Sequence, residues 1–166
     1  MHWCLSHQYD PRAVKLADRH YSRKTIGSKQ FMPPGRMLVL LSIDAKAVWA
    51  CSWPYEHLLR RAWAPTAWLN VLFRNEGSYL SSELILEAVA ATRWRWGEPP
   101  PDGMVTIIDQ RKVKSANPGY CYKKAGFTHV GYTKKAGLVI VQLLPQDMPE
   151  LAMPNGAQLT FDWEVA

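Results

Sequence analysis

The chain has few cysteines, no long apolar run and no histidine spacing that suits zinc. Its longest apolar runs, such as 37–41 and 138–141, are far shorter than the roughly 20 residues that span a bilayer. Residues 1–7 lack the basic-then-apolar order of a secretory signal. The three cysteines form no CxxC pair, and the five histidines fit neither a zinc finger nor an HExxH helix. We therefore expect a protein of the reducing cytoplasm, with no membrane segment and no metal site.

Acidic residues are missing from two stretches that are rich in lysine and arginine. Residues 111–135 contain seven basic residues and no acid, and residues 22–36 contain four basic residues and no acid, whereas 145–166 contains four acids and no basic residue. With a net charge of +6, this distribution indicates a cationic face for a polyanion, although an ordinary solvated basic surface has the same composition. The candidate DNA-binding residues are Arg23, Lys24, Lys29, Arg36, Arg111, Lys112, Lys114, Lys123 and Lys124.

Hydrophobic patterning predicts one domain of mixed α/β (α+β) class. At 166 residues and 48% hydrophobic, the chain is long enough for a single substantial core. Alternating apolar residues, turn signals and helix caps predict the order β-α-β-β-β-α-β-α-β-β, with a further short helix over 56–63. We expect the domain to occupy 1–144 and an acidic, Pro-containing tail to occupy 145–166. The predicted strands cover 3–9, 37–43, 47–53, 68–73, 104–109, 127–132 and 138–144.

A polar turn between the strand at 68–73 and the next helix is a candidate anion site. The turn reads Arg74-Asn-Glu-Gly-Ser-Tyr79, and Ser81 or Ser82 is predicted to cap the helix that follows. A glycine-containing turn that opens a helix presents free N–H groups and the positive end of the helix dipole, which suits a phosphate. An ordinary strand–helix connection has the same composition.

Four further residues carry side chains suited to proton transfer. His20 lies where the first helix is predicted to end, which suits a general base but also a histidine that complements the helix dipole. Asp109 ends a strand and would either deprotonate or orient an amine, or cap the next turn. Tyr120 and Tyr122 lie on a predicted short helix, where Cys121 between them is expected to be a packing residue.

Together these segments resemble the GNAT acyltransferase superfamily. There an Arg/Gln-x-x-Gly-x-Gly/Ala turn holds the pyrophosphate of coenzyme A, and an Asn…Tyr…Ala-Gly-Phe stretch, matched by 117–127, lines the rest of the site. The resemblance implies a mixed, mostly antiparallel sheet, covered by helices and split near its middle. It implies acetyl-CoA, or another acyl or aminoacyl donor, and a tyrosine that protonates the departing thiolate. Tyr79 departs from the motif, since a small residue is usual there. The implied donor-binding residues are Arg74, Asn75, Glu76, Gly77, Ser78, Tyr79 and Ser81.

A narrower resemblance covers residues 19–143. The ordered blocks are similar to the Mom family of bacteriophage DNA-modification proteins: His20-Tyr-Ser22, Phe73-Arg-Asn-Glu-Gly77, Ser81-Ser-Glu-Leu-Ile85, Ile108-Asp109 and Gly119-Tyr-Cys-Tyr122. That family adds a carbamoylmethyl group to the N6 amine of adenine and so protects DNA from restriction. The resemblance implies double-stranded DNA as partner, in the cytoplasm of an infected bacterial host, and leaves the oligomeric state open, a homodimer included. The implied catalytic residues are His20, Tyr21, Ser82, Asp109 and Tyr120 or Tyr122.

Two other functions remain open at this point. One is a conventional acetyl-CoA-dependent N-acetyltransferase that acts on a protein or small-molecule amine. The other is a non-catalytic nucleic-acid-binding protein on the same scaffold, for which the basic charge alone would be sufficient.

Overall fold

The computed structural model describes residues 1–55 and 63–157, which form a single α+β domain as predicted. The element order within them matches the prediction. The elements are β1 (Trp3–Ser6), α1 (Pro11–Asp18), β2 (Arg36–Ser42), β3 (Ala47–Trp53), β4 (Trp68–Asn75), α2 (Ser81–Trp96), β5 (Met104–Ile108), α3 (Tyr120–Lys124), β6 (Thr128–Tyr132) and β7 (Val139–Leu143). The short helix predicted over 56–63 lies outside the described residues, apart from its last position.

The strands form one mixed, mostly antiparallel sheet in the order β1-β2-β3-β4-β5-β7-β6. Among the strands of the described residues, only β4 and β5 are parallel neighbours, and α2 makes the crossover between them. These two strands pair from Trp68–Met104 to Asn70–Thr106 and then separate, although both continue beyond that point. The sheet therefore opens at the carboxyl ends of its parallel strands.

Both faces of the sheet are covered, which explains why β2 and β3 read as nearly continuous apolar runs. On one face Val39 and Leu41 pack with Leu16 of α1. On the other face Leu40 packs in a second cluster with Ile85 of α2. Successive residues of β2 alternate between the two clusters, as the pleat of a strand requires.

Local signals explain one helix start and not the other. Asp10 caps α1 as predicted, since its carboxylate accepts the N–H of Arg12 at 3.0 Å. The prediction that Ser81 or Ser82 caps α2 was wrong, because Leu80 occupies the N-cap position and both serines lie inside the helix. The hydroxyl of Ser81 instead lies 3.0 Å from the side-chain amide of Asn75 in the preceding turn.

The segment that follows β7 lies along α2 and β1 as far as residue 157. The N–H of Ala152 donates to the carbonyl of Ala90 at 3.1 Å, and the N–H of Asn155 donates to the carbonyl of Trp3 at 2.8 Å. Asn155 also forms a parallel bridge with Cys4, so this segment covers the outer edge of β1. Among the described residues, no helix is both long and apolar enough to cross a membrane.

Candidate functional site

A cavity of about 290 Å³ occupies the gap between β4 and β5. Its walls are the carboxyl halves of these strands, and residues from the end of α1, the loop before α3 and α3 itself complete it. The carboxyl ends of parallel strands are where α/β sheets usually bind ligands. The lining includes His20, Tyr21 and Tyr122 of the predicted catalytic set and Arg74, Asn75 and Ser81 of the predicted donor-binding set.

Two polar residues that sequence reasoning missed mark the point where the strands separate. Asn70 and Thr106 face each other in the parallel register, and both are buried. The hydroxyl of Tyr122 donates to Oδ1 of Asn70 at 2.6 Å, and the hydroxyl of Thr106 donates to the carbonyl of Asn70 at 3.1 Å. The sequence did carry a signal for these two residues, since each is a single polar residue inside a predicted apolar strand. A buried polar side chain needs a hydrogen-bond partner, so such a residue indicates a specific contact.

Tyr122, not Tyr120, lines the central cavity. Tyr122 is 8% exposed, whereas Tyr120 is 53% exposed. Burial raises the pKa of Tyr122 well above its ordinary value, so the phenol keeps its proton near neutral pH. Cys121 lies between them and lines the cavity too, and burial raises the pKa of its thiol, which makes it a poor nucleophile.

His20 is held as a neutral imidazole at the mouth of the cavity. Burial, together with the positive charge of Arg74, lowers its pKa to about 4. The backbone N–H of Ser22 donates to Nδ1 at 3.2 Å, and the Ser22 hydroxyl lies 2.7 Å from the same atom. Because Nδ1 accepts a hydrogen bond, the proton of the neutral ring is on Nε2. In this arrangement Nε2 of His20 is a hydrogen-bond donor, and Nδ1, the nitrogen that a general base would use, already accepts a hydrogen bond.

Tyr21 stacks on His20, with their ring centroids 4.3 Å apart. Its hydroxyl oxygen accepts the backbone N–H of Asp109 at 3.3 Å, which links the end of α1 to the end of β5 across the gap. Burial raises the pKa of Tyr21, so its hydroxyl also keeps its proton. The two stacked rings give the cavity an aromatic wall.

Asp109 lies next to the cavity, but its carboxylate is already paired. Arg111 donates to it from the backbone N–H at 3.1 Å and from the guanidinium at 2.9 and 3.1 Å. These hydrogen bonds hold the pKa of Asp109 below its ordinary value. The aspartate is therefore a weaker base here than the sequence suggested, since its lone pairs are occupied and its conjugate acid is stronger.

Arg74 and Glu76, both predicted to bind the donor, pair with each other and with Arg19. Glu76 accepts two hydrogen bonds from Arg19, at 2.7 and 2.6 Å, and also contacts Nε of Arg74. Arg74 donates in addition to the carbonyl of Arg19 at 2.7 Å. Hydrogen bonds, first from Arg19, lower the pKa of Glu76 to about 2. Arg74 thus shares one carboxylate with Arg19, and its charge is only partly offset inside the protein.

Asn75 and Gly77 shape the turn itself. The Asn75 side chain donates to the carbonyl of Tyr79 at 2.8 Å and accepts the N–H of Gly77 at 2.9 Å. A Cβ added at Gly77 would lie 3.0 Å from Oδ2 of Asp44 and 3.2 Å from Cβ of Lys46, in the β2–β3 turn. The φ of Gly77 is not positive, so its backbone is one that other residues also adopt. Glycine is needed here because the turn packs closely against its neighbour.

A second depression, of about 510 Å³, lies between the first turn of α2 and α3. It shares Asn75, Ser81 and Cys121 with the central cavity. Its other lining residues are Gly77, Ser78, Tyr79, Leu80, Ser82, Tyr120 and Lys124. Five of the six predicted catalytic residues therefore divide between two adjoining spaces, with Ser82 and Tyr120 in this one, and Asp109 lines neither.

The second depression combines two features that suit an anion. The N–H groups of the first turn of α2 have no partner within the helix, and Lys124, whose ammonium lies 5.6 Å from the ring centroid of Tyr120, lines the same space. Tyr79 lines the same space, and its ring centroid lies 4.2 Å from that of His2. Lys124, which the sequence assigned to DNA, thus lies where a donor phosphate was expected.

Besides Arg111, which pairs with Asp109, and Lys124, whose ammonium lies 5.6 Å from the ring centroid of Tyr120, three more of the predicted DNA-binding residues have other contacts. Arg23 is 6% exposed, pairs with Asp18 at 2.6 Å and donates to carbonyls of its own loop, so it holds the 22–33 loop together. The guanidinium of Arg36 lies 4.9 Å from the ring centroid of Trp53. Arg36 begins β2 opposite Trp53, at the end of the sheet far from the cavity. Lys123 donates to Asn117 at 2.9 Å.

Four exposed lysines remain on the two loops that flank the cavity. Lys112 and Lys114 are on either side of Val113, which lines the cavity. Lys24 lines a neighbouring space formed by the 22–33 loop over Val71 and Leu72 of β4, and Lys29 is exposed on the same loop. These four lysines, rather than all nine predicted DNA-binding residues, are the candidate contacts for a polyanion.

Comparisons of the chain with protein-family models, with curated proteins and with solved structures returned no match. Within 1–55 and 63–157, no three His, Cys, Asp or Glu side chains are grouped as a metal site would require. Function must therefore be inferred from the cavity, the depression and the lysines around them.

Proposed function

We propose that this protein is a GNAT-like DNA-modification transferase, which adds an acyl-derived, carbamoylmethyl-like group to the N6 amine of adenine. The observation that carries the proposal is the cavity where β4 and β5 separate. It brings His20, Tyr21 and Tyr122 next to the turn that opens α2 and beneath two basic loops. A mixed sheet that opens near its middle, with an anion-suited helix start beside the opening, agrees with the architecture that the GNAT resemblance implies.

The cavity suits a flipped base more than an intact duplex. Adenine N6 inside a duplex is Watson–Crick paired, so an enzyme that modifies it usually extrudes the base. A space of about 290 Å³ is at the lower end of the range for small-molecule sites and suits one planar group. The stacked rings of His20 and Tyr21 offer an aromatic surface for such a base, and the exposed lysines offer contacts for the backbone.

In the proposed reaction the amine nitrogen bonds to the transferred group while the donor's bond to its leaving group breaks. One amine proton ends on the leaving group, so the exchange is balanced. We assign the anionic part of the donor to the depression between α2 and α3, where Lys124 and the free N–H groups of α2 would bind phosphate. This assignment replaces Arg74, whose charge is partly offset by Glu76. The reacting end of the donor would reach the central cavity through the shared residues Asn75, Ser81 and Cys121.

One observation favours the non-catalytic alternative. The two candidate bases are both unsuited to accept a proton, since Asp109 is paired with Arg111 and Nδ1 of His20 already accepts a hydrogen bond. A protein that only binds nucleic acid would tolerate both arrangements. The proposal therefore requires the amine proton to leave by another route, such as solvent or the leaving group itself.

Mass spectrometry of nucleosides separates these functions. DNA from bacteria that express the wild type should contain a new adenosine adduct, which Tyr122→Phe should strongly reduce. Tyr132→Phe is the matched control, because Tyr132 is 61% exposed on the edge strand β6, away from the cavity lining. Unmodified DNA together with retained DNA binding would support the binding protein. Unmodified DNA together with acetyl-CoA turnover on a small amine would support the conventional acetyltransferase.

A further inference from the structure

The side-chain amide of Asn70 has only one orientation that its neighbours allow. Nδ2 lies 3.0 Å from the carbonyl oxygen of Ala50 and 3.1 Å from that of Leu72. Both are pure acceptors, so the nitrogen must face them, and a flipped amide would place oxygen against oxygen. Both Asn70 protons are thereby used, at a residue that is 2% exposed.

The direction of the Tyr122 hydroxyl proton follows from this orientation. Oδ1 of Asn70 carries no proton and lies 2.6 Å from the phenolic oxygen, so Tyr122 must be the donor. A phenol has a single proton. Once it is directed at Asn70, the hydroxyl offers lone pairs, and no proton, to any other neighbour. Tyr122 lines the cavity beside Thr106, which also contacts its hydroxyl, so any lone pair of the phenolic oxygen that faces the cavity is an acceptor.

We propose that Asn70 is a positioning residue that holds Tyr122 as a hydrogen-bond acceptor, so that the cavity takes a ligand with an N–H group. At the mouth, the Nε2–H of His20 supplies a donor, since Nδ1 accepts from Ser22. One acceptor and one donor in the lining of one small cavity match a carboxamide, which has both an N–H and a C=O. The amide of a donor molecule and the amino group of a nucleobase both carry an N–H that Tyr122 could accept. The role of such a ligand in catalysis rests on the proposed function, whereas the experiments below test only the hydrogen bond and the ligand preference.

The hydroxyl proton is directly observable by NMR in protein labelled with ¹³C at tyrosine Cζ. The wild type should show a slowly exchanging proton coupled to Tyr122 Cζ, with a nuclear Overhauser effect to the Asn70 side chain. Tyr122→Phe, which keeps the ring, should remove this signal and so assign it. In Asn70→Leu, which matches the size but lacks the acceptor, the proton should exchange too fast to observe. A wild-type signal without the Asn70 contact would overturn the proposal even if Asn70→Leu did not fold.

The ligand preference is tested with two small probes that differ by one N–H. N-methylacetamide carries an amide proton, and N,N-dimethylacetamide does not. Shifts of the Tyr122 Cζ resonance should show N-methylacetamide binding at least about threefold more tightly, the range of one net hydrogen bond. Tyr122→Phe, followed through cavity methyl resonances, should remove the difference. Equal binding of the two probes to the wild type would overturn the proposal. Neither DNA nor a donor is present, so this failure is distinct from an absence of modified adenine.

Discussion

Arg19 donates two hydrogen bonds to Glu76, of 2.7 and 2.6 Å, and so joins the end of α1 to the turn after β4. The same carboxylate contacts Arg74, and Arg74 donates to the Arg19 carbonyl at 2.7 Å. One acid therefore pairs with two arginines beside the cavity, and the three side chains together keep a net charge of +1. The consequence is that the availability of Arg74 for an anion depends on Glu76, two residues further along the chain.

Replacing Glu76 with glutamine should make this turn bind anions more tightly. The substitution keeps the size and removes the charge that offsets Arg74. One charge at about 4 Å contributes about 1 kcal/mol in water, so the affinity for inorganic pyrophosphate should rise about fivefold. Isothermal titration calorimetry measures it, with Glu98→Gln as the control, because Glu98 is exposed beyond the far end of α2. Unchanged affinity in Glu76→Gln would show that Arg74 is not the limiting contact.

The same ion pairs should make part of the folding stability depend on pH. The pKa of Glu76 falls from 4.5 to about 2 on folding, so its contribution is complete above pH 4.5 and is lost as the pH falls towards 2. Glu76 is partly exposed, and solvent screening limits the contribution to about 1 kcal/mol or less. Urea denaturation of the wild type and Glu76→Gln should give a difference that shrinks across this window. A difference that is constant with pH would contradict the assigned pKa.

His20 should remain uncharged well below neutral pH. Its pKa is lowered to about 4 by burial and by Arg74. Since the folded form binds fewer protons than the unfolded chain, His20 costs stability as the pH falls from 6.5 towards 4. Histidine ¹⁵N NMR should show a proton on Nε2 and a titration midpoint about 4, which Arg74→Gln should raise. A midpoint near the ordinary value would mean that His20 is available as a base.

Binding to double-stranded DNA should depend on salt through the exposed lysines of the two loops. If Lys24, Lys29, Lys112 and Lys114 each neutralise one phosphate, log affinity should fall with log salt at a slope of about −3 to −4. Reversing Lys112 and Lys114 to glutamate should reduce that slope by about 2. Arg95→Glu is the charge-matched control, since Arg95 is exposed in the last turn of α2. If Arg95→Glu reduced the slope as much as the reversal of Lys112 and Lys114, binding would depend on net charge alone and not on a defined DNA-binding face.

The fold was predictable to the extent that each element carries its own signal. The strand Ala47–Trp53 was predicted with its observed bounds, because apolar residues fill it and a turn sequence precedes it. Asp10 and Pro11 placed the start of α1 in the same way. β4 extends two residues further than predicted, to Asn75, because pairing with Ala47 of β3 holds polar residues in the sheet. That extension depends on a partner strand and has no local signal.

The candidate site was predicted as a set of segments and not as a set of contacts. His20, Tyr21, Arg74 and Tyr122 do line one cavity. Their charge state depends on partners distant in the chain, such as Arg19 and Glu76, which are 57 positions apart. A sequence pattern shows which residues are present. It does not show which charges pair or which group donates each hydrogen bond, because these depend on distances between side chains in the folded protein.

Asp109→Asn provides the decisive test of whether that aspartate is the general base. Removal of a true base usually costs about 10²–10⁴-fold in rate. Because Arg111 occupies both carboxylate oxygens and lowers the pKa of Asp109, we expect a loss below about tenfold, less than that range. Mass spectrometry of modified adenosine gives the activity, and the melting temperature shows whether the fold is retained. Arg111→Gln is the partner variant, since it should raise the pKa of Asp109 and leave its carboxylate free. A loss of 10²-fold or more in Asp109→Asn at unchanged melting temperature would restore Asp109 as the base.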